Sequence, residues 1–149
     1  MSDSEDIELG PGAAFTVILQ NEILLEKLKL LNFEKEFVKK QRGIRTISRI
    51  TFSVPNNENQ GEQFTQFIKL TQYLLQTNGV AIEVDEFDDP GAITSQIMES
   101  CRRLGVNVDF PPQKIRKGHG NEVVKILTSL ADLALDRRGH RFFLLQNGQ

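Results

Sequence analysis

The apolar positions of this 149-residue chain fall into helical patterns separated by polar, glycine-bearing or acidic breaks. In AAFTVILQNEILLEKLKLL, Val17, Leu24, Leu28 and Leu31 recur at helical spacing and Ile18 and Leu25 widen the stripe, which predicts a first helix. NFEKEFVKK sets Phe33 and Phe37 four apart with Glu34, Lys35, Glu36, Lys39 and Lys40 turned outward, so a short helix is expected before Gly43. Beyond the polar loop 56–61, Phe64, Phe67, Ile68, Thr71 and Leu75 mark a long helix that stops at Gly79, a residue suited to the position just past a helix end. Asp89-Pro90 reads as an N-cap followed by proline at the first helical position. The helix it starts carries Ile93, Ile97, Cys101 and Leu104 on one face and stops at Gly105. The last pattern, from about Asn121 to Arg138, aligns Val123, Ile126, Leu127, Leu130 and Ala134, with Val124, Leu133 and Leu135 broadening the face; this wide sector predicts the most buried helix.

Four substantial helices and a short one, without alternating strands and helices, put the chain in the all-α, mainly α class. Residues 45–55, RTISRITFSVP, are β-branched and read as extended, and a two-stranded pairing of RITFSV with the HRFFLL near the C-terminus is the one short β element the pattern leaves room for. Residues 1–12 read as a flexible acidic N-terminal lead.

Composition narrows the partner classes. With a net charge of −2, nucleic acid is not the expected partner. No apolar run approaches the roughly 18 residues of a membrane span, and the acidic N-terminus lacks the positive flank of a secretory signal, so membrane insertion is not expected. The single Cys101 cannot form an internal disulfide, and its place on an apolar face predicts a core thiol. His119 and His140 with one cysteine are too few for a zinc set, and EVDEFDD lacks the spacing of a calcium loop, so no metal site is expected.

The stretch DFPPQKIRKGHGNEVVKIL raises the possibility of an anion site, because glycines and lysines precede a helix start. A dinucleotide fingerprint requires a third glycine where Val123 stands, and a Walker loop requires a lysine and a hydroxyl that Gly118-His119-Gly120-Asn121 does not supply. The favoured reading is structural: Gly118 and Gly120 give backbone freedom, Asn121 or a neighbour caps the helix, and Asp89, Pro90, Pro111 and Pro112 shape helix entries. No cofactor and no catalytic residue is expected.

Charge is distributed unevenly. Residues 26–50 hold eight basic and three acidic side chains, whereas residues 58–89 hold one basic and seven acidic, so the domain is expected to be bipolar. Lys39, Lys40, Arg42, Arg45 and Arg49 form one basic cluster, and Lys114, Arg116, Lys117 and Lys125 another. Brought together they would make a protein-binding patch for an acidic surface such as tubulin; taken singly, each is also explained as solvated charge.

Five short segments occur in a familiar order: Gly10-Pro-Gly-Ala-Ala, Glu26-Lys-Leu-Lys-Leu-Leu, Gly61-Glu-Gln-Phe64, Phe87-Asp-Asp-Pro90, and Asp109-Phe-Pro-Pro112 with Lys114 and Gly118-x-Gly120 behind it. Each is unspecific alone; together, from residue 10 to about 140, they resemble the N-terminal domain of the intraflagellar transport protein fifty-seven (Hippi) family. The resemblance implies a calponin-homology-like domain of four to six helices over 13–140, with 141–149 starting a linker toward a coiled coil. It also implies a non-enzymatic adaptor of the intraflagellar transport B complex that supports cilium assembly and is found in the cytoplasm and the cilium or flagellum, including the ciliary base. Its partners would be other B-complex subunits, with a large one docking on this domain. Direct tubulin binding through the basic clusters is the alternative, followed by a small nucleotide-binding enzyme.

Overall fold

The structure, a computed structural model, describes residues 11–33, 47–48, 51–85 and 87–146. Four helices and one 3-10 turn follow one another: α1 (Pro11–Leu30), α2 (Gln60–Thr77), α3 (Pro90–Arg103), the turn η1 (Pro112–Lys114) and α4 (Asn121–Gln146). No strand occurs among the described residues, in keeping with the all-α class.

Local chemistry sets the boundaries. Asn59 caps α2 by accepting from the Glu62 N–H at 2.9 Å, while Asn59 Nδ2 donates to the Glu62 carboxylate at 3.2 Å. Asp89 caps α3, its carboxylate accepting from the Ala92 N–H at 3.2 Å, and Pro90 occupies the first turn, where no backbone donor is missed. α2 and α3 end alike. The Val80 N–H reaches back to the Leu75 carbonyl at 2.8 Å and the Val106 N–H to the Cys101 carbonyl at 2.9 Å, each across a glycine. α1 ends at Asn32, whose φ of 61° turns the chain, and the Arg138 guanidinium on α4 donates to the Leu31 carbonyl left over there.

α4 is the central element, packed against both α1 and α2, while α3 packs against η1. The core joins Leu24 and Leu28 of α1 and Leu31 just past its end, Phe67, Leu70, Leu74 and Leu75 of α2, Ile93, Ile97 and Met98 of α3, and Val123, Ile126, Leu127, Leu130, Ala131 and Ala134 of α4. Each buried leucine, isoleucine or phenylalanine contributes about 1.5–3 kcal/mol before chain entropy is counted.

Two expectations need correction. α4 does not stop near Arg138 but runs to Gln146, so HRFFLL is helical and its pairing with RITFSV does not form; Thr51, Phe52 and Ser53 are in a turn. Extending an existing helix adds a hydrogen bond for each residue fixed, whereas an isolated two-stranded pairing is marginal. The short helix expected after Phe33 lies outside the described residues beyond Phe33 itself, which is buried in the core.

The turn around Phe52 is held by two buried amide side chains. Asn21 of α1, fully buried, accepts from the Phe52 N–H at 2.9 Å and donates to the Ser48 carbonyl at 3.3 Å. Gln63 of α2 donates to the carbonyls of Thr51 at 2.9 Å and Val54 at 2.7 Å and accepts from the Asn56 N–H at 3.0 Å. The Gly120 N–H donates to the Phe52 carbonyl at 2.7 Å. Backbone groups cut off from water need such partners, and here three distant parts of the chain supply them.

Candidate docking surface

The Gly118–Gly120 loop, the sequence's best case for an anion site, is occupied with packing. Gly118 has a φ of +76°, and a Cβ there would lie 2.7 Å from both Cα and N of Phe64 and 2.9 Å from the Gln63 carbonyl carbon. The loop backbone is therefore seated on the Gly61–Phe64 segment, so two of the five short motifs meet in space. The Gly120 carbonyl accepts the first bond of α4, from the Val124 N–H at 3.1 Å, which makes Gly120, the neighbour of Asn121, the capping residue. Its own N–H is spent on Phe52. Burial, helped by the nearby Lys117 charge, holds the His119 imidazole below its ordinary value, so it adds no positive charge here near neutral pH.

Pro112 opens η1 directly after Pro111, and the turn delivers Ile115 into the core. Lys114, Arg116 and Lys117 stay exposed around that buried residue, and Lys125 is exposed on α4. Lys39, Lys40, Arg42, Arg45 and Arg49 lie outside the described residues. Among the described residues, no group of three or more His, Cys, Asp or Glu side chains is arranged to hold a metal ion. Cys101 is fully buried, and burial, opposed weakly by Arg102, pushes its thiol up to about 11. It is a protonated core residue at neutral pH.

A different surface emerges on α1. Phe15, Leu19, Ile23 and Leu30, at offsets of four, eight and fifteen, are 60%, 41%, 44% and 72% exposed. They form one stripe on the side of α1 facing away from buried Leu24, Leu28 and Leu31. A groove of about 710 Å³ beside the stripe is lined by Leu19, Gln20, Glu22, Ile23, Leu25 and Glu26. Glu26 also accepts from exposed Lys29 at 3.1 Å, and Lys27 bonds Asp132, tying α1 to α4 below the stripe. Helical periodicity missed this surface because only the first apolar face was followed. The signal was present in the chain, since α1 is apolar on two sides and a helix packed on one side needs only one.

Comparisons with known proteins bear on most of the chain. The family model for Intra-flagellar transport protein 57 matches residues 21–147. The Intraflagellar transport protein 57 homolog of Xenopus laevis is 40% identical over 133 residues, covering 89% of this chain and 32% of the relative. That of Mus musculus is 42% identical over 130 residues, covering 87% and 30%. Intraflagellar transport protein che-13 of Caenorhabditis elegans is 36% identical over 138 residues, covering 91% and 33%. The chain thus spans about a third of the length of these relatives. The family model takes in the second half of α1, the pinned Phe52 turn, α2, α3, the Gly118 loop and α4: the chain belongs to the intraflagellar transport protein 57 family.

Proposed function

We propose that this chain is a non-enzymatic docking domain of an intraflagellar transport assembly, acting in cilia and flagella in support of their construction. The family match over residues 21–147 carries the reading. The exposed α1 stripe supports it, because a single domain gains nothing in its own stability from apolar side chains left in water. On this reading residues 13–140 form a calponin-homology-like module, a large subunit of the B complex is its partner, and no cofactor takes part. The loop glycines, prolines and Asp89 keep the module in shape.

Reconstitution tests this directly. Purified B-complex subunits mixed with the chain should co-elute with it in size-exclusion chromatography at physiological salt; failure to join any of them would overturn the docking reading. Direct tubulin binding remains the second reading, favoured by the exposure of Lys114, Arg116 and Lys117 on one turn. A net charge of −2 opposes an acidic filament lattice, so weak co-sedimentation with microtubules is expected. Strong co-sedimentation that disappears when these three residues are changed to Glu would put tubulin first.

A further inference from the structure

The exposed side of α1 has a shape and a charge that specify more than general stickiness, and the occupant assigned to it rests on the docking function proposed for this chain. Phe15, Leu19 and Ile23 stand in an i, i+4, i+8 row, the kind of ridge that fits the groove between side-chain rows of another helix. From Phe15 to Leu30 the row is about 22 Å long at 1.5 Å per residue, room for about four turns of a partner helix. Its groove has an apolar floor of Leu19, Ile23 and Leu25 with Glu22 and Glu26 on it. Lys29 pairs with Glu26 in an exposed contact, a kind worth about 0–1 kcal/mol, so an incoming cation can replace it.

Register decides against a second copy of this chain as the occupant. The exposed parts of the four apolar residues sum to on the order of 400 Å² per molecule, close to the apolar share of the roughly 800 Å² per partner in a standard interface, so area by itself does not exclude a dimer. Self-matching is poor. Antiparallel pairing centred on Leu19 sets Phe15 against Ile23 but leaves Leu30 uncovered, and pairing that covers Leu30 with Phe15 sets Leu19 against Glu26.

We infer that α1 receives an amphipathic helix of another protein, one with an apolar ridge flanked by lysine or arginine that seats on Phe15, Leu19, Ile23 and Leu30 and faces Glu22 and Glu26. Helix-in-groove recognition of this kind takes its affinity from the apolar anchors and its orientation from the charged flanks.

The test uses the 149-residue chain and a 14-residue leucine–lysine amphipathic helix as the probe, with a leucine–glutamate helix of the same pattern as control. Amide chemical shifts should move at Phe15, Leu19, Ile23 and Leu30 with the lysine probe and stay in place with the glutamate one. Leu19→Asp should weaken binding about tenfold, and Glu26→Lys about threefold, the range for one exposed charge pair, with helical content unchanged in both. Equal binding of the two probes, or shifts confined to the acidic residues 83–89, would overturn the inference. So would a chain dimer in sedimentation that Leu19→Asp dissolves, since a second copy would then cover the stripe, or loss of probe binding when the chain is extended to the length of its relatives, since its own sequence would then cover it. In the B-complex reconstitution, Leu19→Asp should lose co-elution. Retained co-elution would overturn the assignment to α1 alone, whereas failure of the unmutated chain would remove the docking reading itself.

Discussion

Replacing Gly118 with alanine adds one methyl group where the structure has no space for it. Two costs combine. At a φ of +76° an L-residue loses about 1–2 kcal/mol relative to glycine. The new Cβ would also lie 2.7 Å from Cα and N of Phe64, which are backbone atoms inside α2 and cannot rotate aside. Shifting the loop to relieve such overpacking costs about 1–3 kcal/mol more, so the expected loss is about 2–5 kcal/mol. Gly105 is the internal control: its φ is +81°, nearly the same, yet nothing lies within 4 Å of a Cβ placed there. Gly105→Ala should therefore carry the conformational cost alone, about 1–2 kcal/mol. Urea denaturation followed by helical circular dichroism measures both, with slopes expected to match the unmutated chain. Losses that agree within about 0.5 kcal/mol would refute the close approach of the loop to α2, because the two sites share nearly the same φ and differ in what a Cβ would meet.

Leu127→Ala, at a fully buried position on α4, should cost about 2–5 kcal/mol in the same assay, and an unchanged midpoint would remove Leu127 from the core. Gln63→Ala strips partners from Thr51, Val54 and Asn56 at once and should cost about 2–4 kcal/mol; a change under about 0.5 kcal/mol would mean that water replaces the amide. Stability should fall as pH rises from about 9 toward 11, because the unfolded Cys101 thiol then ionises while the folded one, pushed up to about 11, keeps its proton; Cys101→Ser or Cys101→Ala should flatten that limb, and an unchanged slope would refute the assignment. On the acid side the sign reverses: His119 is held below its ordinary 6.5, so the unfolded chain takes up a proton first, and stability should decline as pH drops from about 6.5, a decline that His119→Gln should reduce.

Much of the fold was legible because helices report themselves through local period and punctuation. Asp89-Pro90, Gly79 and Gly105 mark their ends correctly, since caps and helix-ending turns are short-range chemistry. The far end of α4 was not legible: β-branched RITFSV and apolar HRFFLL suggested a pairing, but whether two distant segments pair depends on what else claims their backbones, and Phe52 is claimed by Asn21 and Gly120. The Gly118 loop showed the same limit in reverse. Sequence excluded the known phosphate fingerprints, but only the approach to Phe64 explains why glycine stands there. The apolar residues of the α1 stripe stand in the sequence, but their exposure was not legible, because an apolar residue on a helix says nothing about which of two faces the rest of the chain will cover.

Connecting segments between helices usually tolerate added residues, which is why tags and fused domains are placed there. The turn around Phe52 reverses that expectation. Its amide is held by Asn21, 31 positions upstream, and its carbonyl by Gly120, 68 positions downstream (120 − 52). A residue inserted between Thr51 and Val54 would pull the backbone out of register with Asn21, Gln63 and Gly120 together, disturbing α1, α2 and the start of α4 in one step. A label meant to follow this protein without disabling it belongs instead among the exposed residues around Phe87, where the backbone hydrogen bonds of the described residues run to near neighbours and to α3.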